Sequence, residues 1–330
     1  MAVLVDPQTT DAPEIAAARK LLPARRISLR GYQGRGATVR SIAQMIEYFP
    51  YDLLMLATHC GDASGYRWTY QFADSEKIER TLVVDIAIGV AATKQPDMLD
   101  VTQFLHFVSL DGVDWHDPKK SEKVHIGSAI RDFTEKTTPP ADMQPVRKDT
   151  VERVLWSAAL KMSDGNYIML PRAVASGGTP IVINNACASW HRLAKNFMFC
   201  NARAYIGTLF MVTTTEAHEV TVKLLDKHFG KPLPTALWAA QREVYGDNLR
   251  RPYVITGIYP QRLRHSRRDQ VRMIVERLSA ALAEWRDYLR QVNPNDSRRH
   301  AAVREIVEFH EEELASLAAR VAADREPNGR

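Results

Sequence analysis

The sequence predicts an α/β fold built on a doubly wound, mostly parallel sheet, and three observations carry that expectation. First, DLLMLATHCG (52–61) and IVINN (181–185) are apolar runs bounded by turn-forming or polar residues, as strands buried on both faces are. Second, segments with helical apolar spacing separate such runs, and the order strand, helix, strand, helix, strand implies parallel pairing. Third, beyond Pro260 the pattern changes to two long helical stripes, so a helical hairpin is expected after the sheet.

In chain order, AVLV (2–5) before Asp6-Pro7 reads as a short strand ending in a turn, and PEIAAARKL (13–21) as a helix with proline in its first turn. A strand is expected over Arg26–Leu29, a glycine-rich turn at GYQGRG, and a helix over Thr38–Tyr48 with Val39, Ile42, Ala43 and Ile46 on one face. TLVVDIAIG (81–89) and FLHFVSLDG (104–112) are further strands, and the Lys-, Pro- and Asp-rich tract from Asp114 to Thr150 reads as an insertion or surface loop. A helix over Val151–Lys161 precedes the strand at 181–185. Trp190–Phe199 reads as a helix and ARAYIGTLFMV (202–212) as a strand. The helices EAHEVTVKLLDKHFG and PTALWAAQREVYG follow, and YVITGIYP (253–260) closes the sheet. The expected division is therefore residues 1–260 and 261–330. The apolar stripes are Val271, Ile274, Val275, Leu278, Leu282, Trp285, Leu289 and Val292, then Val303, Ile306, Val307, His310, Leu314, Leu317 and Val321, separated by Asn293-Pro294-Asn295-Asp296. Such a hairpin either packs on the main domain or offers a docking face to a partner.

The chain has 330 residues, 45% hydrophobic and 25% charged, which fits a soluble globular protein with ample core. Apolar runs fall short of the roughly 20 residues that span a bilayer, and the opening MAVLVDPQTTDAPE does not read as a secretory signal. Three cysteines, Cys60, Cys187 and Cys200, suggest a reducing compartment, so the expectation is cytoplasmic, with no membrane. The net charge of +5 is mild. Its densest cluster, QRLRHSRRD (261–269), lacks the sustained basic stripe or interleaved aromatics of a nucleic-acid reader and is read as a solvated helix face.

Two strand ends break a dry apolar run with a reactive side chain: His59 after DLLMLAT and Cys187 after IVINNA. Ligands of open parallel sheets bind beyond the carboxyl ends of the strands. If these strands are neighbours, an imidazole and a thiol flank one crevice, where the imidazole can take the thiol proton and later protonate a leaving amine. Gly61 permits close backbone approach, and its amide could join that of Cys187 as oxyanion donors. The plainer readings are packing, since free cysteine is often buried, and a metal site using His59, Cys60, Cys187, His191 and Cys200. The latter lacks the tight C-x-x-C spacing of structural zinc.

In its order of motifs the chain resembles the CHAT domain, a branch of the caspase-like cysteine peptidases. AVLVDP resembles that family's first strand and turn. GATVRSIAQMIEYFPYDLLMLATHCG resembles its helix, strand and catalytic-histidine segment, and TPIVINNACAS its cysteine-bearing strand. ARAYIGTLFMVTTTEA, GKPLPTALWAAQ and YVITGIYP resemble its closing section, so the likeness covers roughly residues 2–260, with 62–165 unassigned. It implies a caspase-like, mostly parallel sheet with helices on both faces and a catalytic dyad of His59 and Cys187. Two positions depart from the pattern: Cys60 stands where the family has glycine after the histidine, and Trp190 where glycine often follows Ala-Cys-x-Ser. Relatives that cut after Arg or Lys carry acidic groups in the pocket, and some have Asp two residues before the cysteine, where this chain has Asn185. Asp62 is the candidate pocket acid, with Asp85 and Asp111 weaker ones.

The expectation is a cysteine endopeptidase acting on a protein substrate, with no metal or organic cofactor and no direct nucleic-acid contact. The resemblance further implies that such domains are often switched on by an activating protein partner, frequently in prokaryotic defence or cell-death pathways; the hairpin at 262–325 is the surface expected here to meet it. The alternatives are a catalytically silent caspase-like scaffold acting through its hairpin, and a metal-dependent hydrolase.

Overall fold

In a computed structural model, residues 1–94, 98–115, 128–136, 144–258, 261–266 and 269–325 are described. The chain forms two compact units: residues 1–60, 90–100 and 160–330 make the first, and 61–89 with 101–159 the second. Residues on both sides of position 260 belong to the first. Among the described residues, no helix is long and apolar enough to cross a membrane.

The first unit contains β1 (Ala2–Asp6), α1 (Pro13–Ala24), β2 (Leu29–Gln33), α2 (Val39–Tyr48) and β3 (Leu53–Leu56). After the second unit come β12 (Ile181–Asn184), α4 (Ser189–Phe199), β13 (Ala204–Thr208), α5 (Thr214–Leu225), α6 (Leu233–Tyr245), β14 (Tyr253–Gly257), α7 (Gln270–Gln291) and α8 (Ser297–Arg325). The six strands order as β14-β13-β12-β3-β1-β2. β2, β1, β3, β12 and β13 run parallel, and β14 pairs antiparallel with β13. β1, β3, β12 and β13 are buried along their whole lengths, which explains their near-continuous apolar sequence. Alternate residues serve opposite faces. Leu4, Met55, Ile183 and Ile206 join Ile15 and Leu22 of α1, Leu224 of α5 and Leu237 of α6 in one core. Tyr205, of the other parity, meets Phe197 of α4 with ring centroids 5.3 Å apart. Helices therefore cover both faces of a mixed, mainly parallel sheet.

Several local expectations fail. The second strand begins at Leu29 and runs through Tyr32 and Gln33, so half of GYQGRG is strand and only Gly34–Gly36 turns. β1 sets that register, pairing Ala2 with Leu29 and Asp6 with Gln33. The helix expected over 151–161 is absent. Val151 ends a strand, Trp156 and Ala158 have positive φ, and Ala159–Lys161 is a strand again. Left-handed residues cannot continue a right-handed helix. The tract expected as a loop over 114–150 carries a helix at Ala129–Lys136 and a strand at Arg147–Val151; residues 116–127 and 137–143, the tail of YVITGIYP at 259–260, and residues 267–268 lie outside the described residues.

The second unit contains β5 (Gly65–Ala73), most of β6 (Glu79–Ala92) and β7 (Leu99–Leu110), β8 (Val113–Asp114), α3 (Ala129–Lys136) and β9 (Arg147–Val151). Its sheet orders as β8-β7-β6-β5-β9. Tyr70, Phe72, Leu82, Val84 and Ile86 pack under Phe133 of α3. Arg80 bridges Asp74 at 2.8 Å and Asp111 at 2.9 Å, and Arg67 pairs with Asp85 at 2.7 Å. A small third sheet orders β11 (Asn166–Ile168), β10 (Ala159–Lys161) and β4 (Cys60–Gly61).

In the first unit, α7 and α8 pack on each other and on the sheet layer. Tyr48 of α2 meets Trp285 at 5.9 Å and Phe309 at 6.3 Å between centroids. The buried Glu313 carboxylate accepts two 2.8 Å bonds from Arg30 and one of 2.7 Å from the Tyr32 hydroxyl. Burial first, then the Glu313 charge, drives the Tyr32 phenol well above its ordinary range. Lys94 adds Glu308 at 3.0 Å, and Arg40 reaches Glu305 at 3.3 Å.

Glu313→Ala should destabilise the protein by about 3 kcal/mol, because it strands a half-buried guanidinium; Tyr32→Phe should cost about 1 kcal/mol, both read by chemical denaturation. A second expectation concerns acid. Thr213 and Glu216 form the capping box of α5, and Arg250 pairs with Glu216 at 2.9 Å. Burial pushes the Glu216 carboxyl up, but Arg250 and the Thr213 amide outweigh it and hold it below its ordinary value. Its contribution is therefore present above about pH 4.3 and lost as pH falls through the lower folded-state value. Melting temperatures of the native chain should fall more steeply below about pH 5 than those of Glu216→Gln.

Candidate functional site

The Asn-Asn pair after IVI is explained by a buried polar network. The Asn184 side-chain oxygen accepts from the Ala186 amide at 2.9 Å, and its NH2 donates to the Tyr205 hydroxyl at 3.1 Å. Tyr205 donates to the Ser189 carbonyl at 3.1 Å, and the Ser189 hydroxyl to the Asn184 carbonyl at 3.2 Å. Thr208 donates its hydroxyl to the Ala186 carbonyl at 2.8 Å and its amide to the Ser189 oxygen at 3.2 Å. Asn184, Ser189, Tyr205 and Thr208 are fully buried. A satisfied network of this kind specifies one geometry, since any missing partner leaves a costly orphan. Burial raises the Tyr205 phenol far above its ordinary range, which keeps it a neutral donor. The turn so held carries Cys187, followed by Ala188 in the left-handed region at φ 51°, ψ 27°. That conformation costs an alanine about 1 kcal/mol.

Cys187 is half-buried. Its sulfur accepts from the Val212 amide at 3.4 Å and lies 3.6 Å from the Val212 carbonyl. Among the described residues, the Cys187 amide has no hydrogen-bond partner. The segment behind Val212 is fixed by Arg250, which donates to the Met211 carbonyl and to Glu216.

β12 pairs with β3 so that Asn184 lies opposite Leu56. His59 and Cys187 each stand three positions past that last paired couple, beyond the carboxyl ends of adjacent parallel strands. His59 is exposed, and its Nε2 lies 3.3 Å from the Thr9 carbonyl, an oxygen that can only accept. A neutral ring that makes this contact donates from Nε2, which puts its lone pair on Nδ1. The His59 carbonyl accepts from the Lys161 amide at 3.0 Å, and the buried Thr58 hydroxyl donates to the Lys161 carbonyl, so the backbone under the ring is clamped.

The other expected residues are placed as follows. Asn185 is buried and turned into the helix layer: its amide nitrogen bonds Glu14 at 3.3 Å and Thr221 at 3.2 Å, and its oxygen accepts from Tyr253 at 3.3 Å. Burial raises the Glu14 carboxyl. Asp62 and Gly61 belong to the second unit. The Asp62 carboxylate pairs with Arg153 at 2.6 Å and accepts from the Trp156 amide at 3.2 Å. Gly61 leaves open space where a Cβ would stand. Asp85 and Asp111 are held by the arginines named above. Trp190 anchors on the sheet, its indole N–H donating to Thr256 at 2.7 Å. Cys200 donates to the Pro171 carbonyl at 3.0 Å, and burial pushes its thiol up. Among the described residues, no three His, Cys, Asp or Glu side chains gather as a metal site.

Sequence reasoning missed the Thr9 carbonyl and the Val212 backbone, because main-chain groups leave no residue signature. It also missed Tyr205 and Thr208, which read only as strand residues. The chain matches no protein-family model, and no curated protein matches it at a significant level.

Proposed function

We propose that the chain is a cysteine endopeptidase of the caspase-like, CHAT kind, with Cys187 as nucleophile and His59 as general base. One observation carries the reading: the β3–β12 register sets an imidazole and a thiol at equivalent positions past neighbouring parallel strands, where ligands of such sheets bind. The supporting details have chemical roles. The Thr9 carbonyl holds His59 in the tautomer whose Nδ1 can take the thiol proton. The sulfur then attacks the scissile carbonyl carbon, and the resulting oxyanion can accept from the unpartnered Cys187 amide. Collapse expels the amine, which leaves with the proton from Nδ1. A water that gives one proton to Nδ1 then hydrolyses the thioester, and that proton returns to the sulfur.

In this proposal an activating protein partner docks on the outer faces of α7 and α8. Their inner faces are occupied by each other, by α2 and by β2, so the available surface is the charged one bearing Arg272, Glu276 and Arg290. The silent-scaffold reading has its own supporting observation: among the described residues, neither ring nitrogen of His59 is hydrogen-bonded to the Cys187 sulfur.

Cys187→Ala and His59→Ala should each lower peptide cleavage by about a thousandfold or more with unchanged circular dichroism, whereas Cys60→Ala should keep most activity; full activity in either dyad variant rejects the mechanism. Thiol chemistry separates enzyme from scaffold. Iodoacetamide should alkylate Cys187 at least about tenfold faster than Cys200, and equal rates, with or without a partner present, favour the scaffold.

A further inference from the structure

The basic cluster at 261–266 is not a helix face. Arg262 makes an isolated bridge to Pro232, and the stretch through Ser266 is otherwise irregular. It walls a cavity of about 680 Å³ that continues into a second of about 440 Å³. The two share Asp52, Arg262, Leu263, Arg264 and Gln270. The floor consists of Leu53, Ile181 and Arg203, residues at or just before the starts of β3, β12 and β13. The cavity therefore lies at the amino edge of the sheet, opposite the strand ends that carry His59 and Cys187.

Its charge is one-sided. Arg203, Arg262, Arg264 and Arg277 line it, against the single carboxylate of Asp52, which pairs with the Met1 amine at 2.7 Å. Among the described residues none of these four arginines has an ion-pair partner, and the sole side-chain bond of the group is a long one, from Arg262 to the Gly230 carbonyl at 3.4 Å. Arg203 is the telling member. Its Nε is buried without a hydrogen-bond acceptor. Burial pulls this guanidinium below the usual arginine range, with Asp52 opposing. A buried donor on a cation is costly to leave unmet, and an anion in the cavity would meet it.

We infer that this cavity binds a small organic di- or triphosphate of nucleotide size. Guanidinium forks match phosphate oxygens in bidentate fashion, and four of them exceed what a lone carboxylate requires. The volume lies within the range of small-molecule sites, roughly 300–1,000 Å³. Leu263, Met273, Ile274 and Ile27 supply an apolar wall that inorganic phosphate would leave unused. The inference is independent of the peptidase reading, because it uses no residue of that site.

The test is titration calorimetry of the full chain with ATP, tripolyphosphate and a single-stranded 20-mer RNA, in about 50 mM salt. ATP is expected to bind at one site, at least about tenfold more tightly than tripolyphosphate. Arg264→Gln, on an irregular segment, and Arg203→Gln should each weaken ATP by about tenfold or more, while Arg203→Lys should recover part of the loss. Melting curves without ligand verify that the variants fold. Absence of ATP binding at millimolar concentration, equal binding by the Arg203→Gln/Arg264→Gln double variant, or tripolyphosphate as tight as ATP would overturn the inference. RNA binding more tightly than ATP through the same arginines would do so too, by marking an extended polyanion surface.

Discussion

The pairing of β3 with β12 is the constraint on which the rest depends. These strands are separated by the whole second unit in sequence, yet they lie side by side at the centre of the sheet, with Leu56 opposite Asn184. A slip of one residue would reverse every side chain between the two helical layers. Because both strands are buried on both faces, such a slip would also place Asn184 outside the network that pairs it with Tyr205, Ser189 and Ala186. Register, core and candidate site are thus one constraint expressed at three levels.

The two halves of that site are stabilised differently. The thiol half stands on side chains that are fully buried and mutually satisfied. The imidazole half stands mainly on backbone, the Thr9 carbonyl at the ring and the Lys161 strand at the His59 carbonyl, with the Thr58 hydroxyl as its side-chain contributor. Side-chain networks lose their geometry when one member is replaced, whereas backbone clamps tolerate substitution of the residues that supply them. Thr9 therefore carries a role that its side chain does not perform.

Much of this was legible in the sequence, for a physical reason. Doubly buried strands have no polar face, so 52–56 and 181–184 stand out as apolar runs, and His59 and Cys187 stand out because they end them. The helix at 39–48 was legible from the period of Val39, Ile42, Ala43 and Ile46, and its Thr38 cap was not. What was not legible depends on distant partners. β2 reads as a glycine turn until β1 sets its register and Glu313, far along the chain, pairs with Arg30. The segment 151–161 has helical composition but two left-handed residues, and Ser157 accepts from the Ala63 amide at 2.7 Å. The antiparallel sheet of the second unit was only partly visible, through two of its strands. The arginines at 262–264 look solvated until the starts of β3, β12 and β13 are placed beside them.

The wiring of the cysteine turn has a consequence for how the molecule forms. The bonds of Asn184, Ser189, Tyr205 and Thr208, and the Cys187–Val212 contact, span at most 25 positions, whereas Asn185 ties the same turn to Glu14, Thr221 and Tyr253. Closing the short loops loses little chain entropy, but the Asn185 bonds wait on α1, α5 and β14. The imidazole has to be delivered from more than a hundred residues upstream, across an intervening unit with its own core. The turn at Cys187 is thus wired both to its own neighbourhood and to the helix nearest the start of the chain, so it takes its final form only when the whole sheet has closed.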